Sequence, residues 1–210
     1  MNQFNRVLVL APHTDDAEFG CGGTIAKFLE LGKQVFCTAF SACKQSVHPE
    51  LPENILELEV REASAELGLP PENLHLYNFE VRTFNYHRQN ILDHLIQLRE
   101  KLKPDLVLMP SLNDIHQDHK TIAEEGLRAF KFSSILCYEM PWNNLHFTTT
   151  AFVVLNERQV NKKVAAVEQY HSQQDRPYAN AEFIRSLAIT RGTQIHQKFA
   201  EVFEVLRWVM

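Results

Sequence analysis

The sequence predicts a Rossmann-like, three-layer α/β domain with a mainly parallel sheet. Short apolar segments containing β-branched residues recur along the chain, and most are followed by an amphipathic stretch of helical period. Glycine or proline closes several of these stretches, at Gly32, Gly68 and Pro104. Strands that alternate with helices need crossover connections, which make neighbouring strands parallel and cover the sheet on both faces. A chain of 210 residues with no internal repeat, low-complexity tract or linker is expected to form one domain over residues 1–210.

Val7 to Ala11 is the first strand, followed by a turn and a helix over Thr24 to Leu31 that stops at Gly32. Gln34 to Phe40 is the second strand, Glu53 to Leu67 a charged amphipathic helix ended by Gly68, and Leu74 to Phe79 a third strand. Gln89 to Leu102 reads as a helix broken before Pro104, and Leu106 to Met109 as a buried strand. His119 to Phe130 is helical, with Ile122, Leu127 and Phe130 facing the core. Ile135 to Tyr138 and Ala151 to Leu155 complete the predicted strands; Leu112 to Asp118 and Pro141 to Thr150 are predicted loops.

Composition excludes several classes. A net charge of -5 offers no basic field for a polyphosphate backbone, so no nucleic-acid partner is expected. The polar start, Met1 to Arg6, leads straight into a strand, unlike a signal sequence, and no apolar run approaches the roughly 20 residues of a membrane helix. Together with Cys21, Cys37, Cys43 and Cys137 falling in no C-x-x-C pair, this predicts a soluble cytoplasmic protein with reduced thiols.

The chemistry concentrates in two clusters at predicted strand ends, where ligands bind in open α/β sheets. The first is His13-Thr-Asp15-Asp16-Ala-Glu18-Phe-Gly20-Cys-Gly22-Gly23-Thr, after the first strand. One imidazole and one carboxylate there can hold a borderline-soft divalent ion such as zinc, leaving the second carboxylate to take a proton. The second, Asn113-Asp114-Ile-His116-Gln-Asp118-His119, can supply a third ligand. Zinc with three protein ligands keeps an open water position, and hydrolysis is the natural reaction. On the other hand, an Asp-Asp pair at a helix start is an ordinary cap, and the glycines can serve helix packing alone.

At these residues the chain resembles the LmbE-like, or PIG-L-like, family of zinc-dependent N-acetylglucosaminyl deacetylases. Its A-H-P-D-D-E and H-x-D-H patterns are similar to His13-Thr-Asp15-Asp16 and His116-Gln-Asp118-His119, with Thr14 in place of the usual proline and Ala17 before the glutamate. Arg61-Glu62-Ala63 before Leu67-Gly68, Tyr170-His171-Ser172-Gln173 after Lys163, Arg191-Gly192 and Ala200-Glu201-Val-Phe203 extend the likeness along most of the chain. The resemblance implies an LmbE-like fold and one zinc ion per chain on His13, Asp16 and His119. It makes Asp15 the general base, and gives His116 the oxyanion, with Asp118 orienting it; a carboxylate so placed is further expected to keep His116 cationic. It also implies substrate contacts from Arg61, His171 and Gln173, and a small-molecule amino-sugar conjugate as the substrate.

Two other classes fit less of the sequence. A dinucleotide-dependent oxidoreductase needs glycine or alanine where Ile25 stands and leaves both clusters unexplained. A silent carbohydrate-binding protein of the same fold would not need the complete ligand set. Phe84, Tyr86, Trp142 and Phe147 are candidates for a sugar-stacking wall, and the apolar tail with Trp208 packs either internally or on a second subunit of a homo-oligomer.

Overall fold

The computed structural model describes residues 3–210. Its sheet has seven strands: β1 (Arg6–Ala11), β2 (Gln34–Ala39), β3 (Leu74–Leu76), β4 (Leu106–Pro110), β5 (Ser134–Tyr138), β6 (Ala151–Leu155) and β7 (Phe199–Arg207), in the order β3-β2-β1-β4-β5-β7-β6. The first five are parallel. β7 runs antiparallel between β5 and β6, so the predicted strand set was incomplete. β3 is also shorter than predicted: beyond Leu76, only separate hydrogen bonds from Tyr77 N to Ala39 O (2.8 Å) and Phe79 N to Phe40 O (3.0 Å) continue the pairing.

Six α-helices cover the sheet: α1 (Asp16–Glu30), α2 (Ile55–Leu67), α3 (Arg88–Leu102), α4 (Gln117–Ala129), α5 (Glu157–Glu168) and α6 (Ala181–Thr193). The two layers follow from strand periodicity. Val7, Val9, Leu106 and Leu108 point into an apolar cluster with α1, α2 and α5. Leu8, Leu10, Val107 and Met109 point the other way, into a cluster with α3 and α4. The three-layer α/β fold with a mostly parallel sheet is therefore as the sequence predicts. Among the described residues, no helix is long and apolar enough to cross a membrane. All four cysteines are buried and unpaired, and Trp208 packs edge-on against Phe4 at 5.1 Å.

The first helix starts eight residues earlier than predicted and contains a break. Cys21, with φ -150° and ψ 25°, is non-helical inside α1. Such a break frees backbone groups that need partners when buried. Lys163 of α5 donates to the Phe19 carbonyl at 2.7 Å, while Glu201 of β7 accepts from Gly23 N (3.0 Å) and Thr24 N (2.6 Å); Lys163 and Glu201 also pair at 2.7 Å. A side chain at Gly20 would collide with the ring of Tyr138, so this glycine lets α1 lie directly on β5. The glycines thus belong to a packed helix and not to a phosphate-cradling loop.

Candidate active site

β1 and β4 are parallel neighbours, and the chain continues from β1 to β2 on one side and from β4 to β5 on the other. The crevice beyond their carboxyl ends is the point where strand order reverses, the expected ligand site of an open α/β sheet. The loop after β1 carries His13 and Asp15 into the start of α1. The loop after β4 carries Asp114 and His116 into the start of α4. The hydroxyl of Tyr170 steadies the first loop by donating to the Thr14 carbonyl at 2.6 Å.

Three atoms converge here. Asp16 Oδ2 lies 3.2 Å from His13 Nδ1 and 3.2 Å from His119 Nε2, and those nitrogens are 3.3 Å apart. A tetrahedral zinc with bonds of about 2.0–2.1 Å places its ligand atoms roughly 3.3 Å from each other, so this triangle has the dimensions of three zinc ligands. The outer nitrogens of both rings are committed: His13 Nε2 meets Asp118 Oδ2 at 3.0 Å and His119 Nδ1 meets Asp114 Oδ2 at 2.7 Å. Carboxylates in those places keep the proton on the outer nitrogen and turn the lone pair of the inner one toward the centre. The three histidines also offer one ring nitrogen each within 4.8 Å, a looser set with His116 as third member. The donor set fits a divalent ion either way, and the tighter triangle contains Asp16.

The electrostatics match a cation at this point. Burial pushes the His119 pKa down, but Asp16 and Asp114 outweigh it and raise the ring to about 10. Burial likewise pushes Asp16 up, and His119 and His13 outweigh it and hold the carboxyl well below its ordinary range.

Asp15 occupies the N-cap position of α1, yet its side chain makes no capping hydrogen bond. It is buried, and it lines a cavity of about 300 Å³ together with His13, Asp16, His116 and His119. Burial, then the charge of Asp16, raises its pKa, against the opposing pull of Arg176, whose Nη1 is 3.7 Å away. The capping account of the Asp-Asp pair therefore does not hold for Asp15.

His116 and Asp118 depart from the expected pairing. Asp118 accepts from His13 and from the backbone N–H groups of Arg82 (2.6 Å) and Phe84 (3.3 Å); its carboxylate does not orient His116. The contact between the two is backbone: Asp118 N donates to His116 Nδ1 at 3.2 Å. An accepting Nδ1 places the proton of a neutral ring on Nε2. Burial, with the nearby His119 and His13, lowers the His116 pKa to about 4, a shift toward the neutral ring and opposite in direction to the expected cation.

Of the expected substrate contacts, only Gln173 lines the cavity. Arg61 is exposed on α2 and does not reach it; His171 is exposed and bonds Gln174 at 2.8 Å. Phe84 is fully buried beneath His13, and Tyr86 and Phe147 are outside the lining. Trp142 does form a wall, stacked at 3.8 Å on Tyr178. Sequence reasoning missed Tyr178, Arg176 and Arg82. The first two lie a few residues beyond the Tyr170 to Gln173 motif, where extending that motif would have met them. Arg82 sits in a segment with no motif.

Comparison with known proteins agrees with this geometry. The sequence profile described as "PIG-L: GlcNAc-PI de-N-acetylase" matches residues 8–130, more than half of the chain, including both ligand clusters. Diacetylchitobiose deacetylase of Thermococcus kodakarensis is 28% identical over 141 residues, covering 64% of this chain and 52% of that protein, so the match spans about half of the relative's length. N,N'-diacetylchitobiose deacetylase of Pyrococcus horikoshii superposes with a TM-score of 0.78 at 20% identity, over 98% of this chain and 85% of that one. A 4-carboxy-2-hydroxymuconate hydratase of Pseudomonas putida superposes equally well, with a TM-score of 0.78 at 18% identity over 98% of each chain, so the shared fold does not by itself select a reaction. The profile match over both clusters decides membership: the chain belongs to the PIG-L, or GlcNAc-PI de-N-acetylase, family.

Proposed function

We propose that this protein is a zinc-dependent hydrolase that removes an N-acetyl group from an amino sugar or its conjugate, acting on a linear amide. The observation that carries the proposal is the convergence of His13, Asp16 and His119 beside a carboxylate, Asp15, left outside the ligand triangle. One ion per chain held there would supply Lewis acidity toward an amide carbonyl and acidify water at the site.

The chain's own residues do the rest. Asp15, made more basic by burial, takes a proton from the attacking water and returns it to the departing amine nitrogen. His116 donates from Nε2 to the amide oxygen as negative charge develops on it; its neutral state suits donation without exchange of a proton. Asp114 and Asp118 keep the two ligand rings aimed. The Trp142 face, an apolar surface at the cavity wall, suits the C–H face of a pyranose ring.

The test is acetate release by zinc-loaded protein from a panel of N-acetylglucosamine conjugates, with Asp15→Ala alongside. Release that falls by about 10²-fold or more in the variant, with zinc still bound, is expected. Zinc retained at one per chain with no acetate from any conjugate would overturn the amide reading.

A further inference from the structure

Gln173 lines the cavity outside the ligand triangle and has no part in the reaction just described. Its surroundings decide which end of its amide is left for a ligand. Next to it stands Glu59 of α2, a carboxylate only 1% exposed and far in sequence from both ligand clusters. A helix turns by about 100° per residue, so Glu59 points inward while Arg61, two positions on, points to solvent. The backbone of Gln173 is held as well. The Tyr170 carbonyl accepts Gln173 N at 2.9 Å, and the Tyr170 hydroxyl holds the Thr14 carbonyl, which registers this segment to the loop bearing His13 and Asp15.

Both oxygens of Glu59 are taken by one residue. Oε1 accepts the Ser172 backbone N–H at 2.9 Å, and Oε2 accepts the Ser172 hydroxyl at 2.6 Å. A carboxylate is an acceptor, so the single hydroxyl proton of Ser172 is committed to Glu59 and the serine oxygen is left to accept. The Gln173 amide meets that oxygen at 3.1 Å, and the group that meets it must be the NH₂. With the amide turned the other way, two oxygens would face each other with no proton between them, a costly contact in a buried place. Oε1 is therefore the free end of the Gln173 amide, and among the described residues no donor reaches it.

We infer that Gln173 accepts a hydrogen bond from a hydroxyl of the substrate's sugar ring, and that Glu59, acting through Ser172, is the positioning residue that sets this polarity. The inference rests on the amide-hydrolase reading and deepens it. The amide to be cut is assigned to the triangle, Asp15 and His116, so the donor left for Gln173 is a ring hydroxyl. Because a carbonyl oxygen cannot donate, this point of the cavity selects a donor and disfavours a group of similar size that only accepts.

The probes are methyl N-acetylglucosaminide and analogues in which the 3-, 4- or 6-hydroxyl is replaced in turn by hydrogen or by fluorine. Hydrogen removes the donor; fluorine puts a weak acceptor in its place. Binding to zinc-loaded Asp15→Asn protein, read by calorimetry, gives affinity without turnover. At one position, loss of the hydroxyl should weaken binding about three- to tenfold, with the fluoro analogue weaker still. When Glu59→Gln is added, the introduced NH₂ donates to Ser172, the serine proton turns to Gln173, and the Gln173 NH₂ becomes the free end. The fluoro analogue should then bind at least as tightly as the deoxy one, with zinc affinity unchanged. Gln173→Leu should abolish the preference for the hydroxyl, which tests the contact even if Glu59→Gln fails to fold. An equal loss for every probe in Glu59→Gln, the order among them unchanged, would make Glu59 merely structural and overturn the inference. A hydroxyl preference that survives Gln173→Leu, no position with the expected order, or binding of no probe would overturn it too. Acetate release by wild type is read separately: donor-selective binding with no acetate from the parent sugar sustains the inference and removes the deacetylase reading instead.

Discussion

Replacing Asp118 by asparagine isolates the step on which the ligand triangle depends. The carboxylate is fully buried and serves three donors: His13 Nε2 at 3.0 Å and Arg82 N at 2.6 Å on one oxygen, Phe84 N at 3.3 Å on the other. An amide has one accepting oxygen. If that oxygen stays with His13 and Arg82, the new NH₂ faces the Phe84 N–H, donor against donor. If it turns to Phe84, His13 loses its partner and its inner lone pair is no longer held toward the centre. In both cases the negative charge behind the ligand ring is gone. Loss of such an outer partner typically weakens metal binding by about 10–100-fold, or roughly 1.4–2.8 kcal/mol. Competition for zinc against a chromophoric chelator at fixed pH measures it, with circular dichroism confirming the fold. Asp114→Asn should lose a similar amount through His119, and Asp15→Asn very little. Zinc affinity of folded Asp118→Asn within about threefold of wild type would refute the claim that this carboxylate orients His13.

Three further outcomes are expected. His116→Ala should lower kcat by about 10²-fold or more while zinc affinity changes little, because the ring is assigned to the substrate oxygen; a large loss of zinc would instead make His116 a ligand. Lys163→Met leaves the Phe19 carbonyl without its donor and Glu201, still bonded by Gly23 N and Thr24 N, without its countercharge, and loss of one partner of a buried pair costs about 3–5 kcal/mol, enough to lower Tm by roughly 10 °C; an unchanged Tm would show that the break in α1 needs no repair. Zinc binding near pH 7.5 should release at least one proton, because the metal-free His119 ring, with its pKa raised to about 10, must lose its proton to ligate. His13, lowered by burial but raised overall by Asp118 and Asp16, adds to the release. Affinity therefore rises with pH until the ring titrates. Calorimetry in buffers of different ionisation enthalpy reads the proton, and zero release would contradict the pairing of His119 with Asp16 and Asp114.

The parallel half of the fold was legible because its signals are local. Val7 to Ala11 and Leu106 to Met109 are apolar runs that need burial on both faces, and glycine or proline marks where the intervening helices stop. The convergence of His13, Asp16 and His119 was legible because few residue types suit a divalent ion and these cluster in sequence. Where the reading failed, the cause was long-range. β7 pairs antiparallel with β5 and β6, and its charged inner positions, Glu201 and Glu204, break the apolar pattern that identifies a buried strand. The expected tie between Asp118 and His116 came from closeness in sequence. The helix start instead sends the Asp118 carboxylate to His13, 105 positions away, and leaves only its backbone N–H for His116.

The two kinds of residue are mechanically linked. The segment from His13 to Asp16 leads directly into the first half of α1, and this half ends at the break at Cys21. Lys163 and Glu201 span that break, so residues from α5 and β7, which the sequence showed only as part of the family likeness and without a role, help fix where Asp16 meets His119. Metal chemistry narrows the ligands to a few residue types, whereas their supports need only a charge and a hydrogen bond in the right place. A support can therefore be essential to the site while its role stays invisible until the strand carrying it is placed.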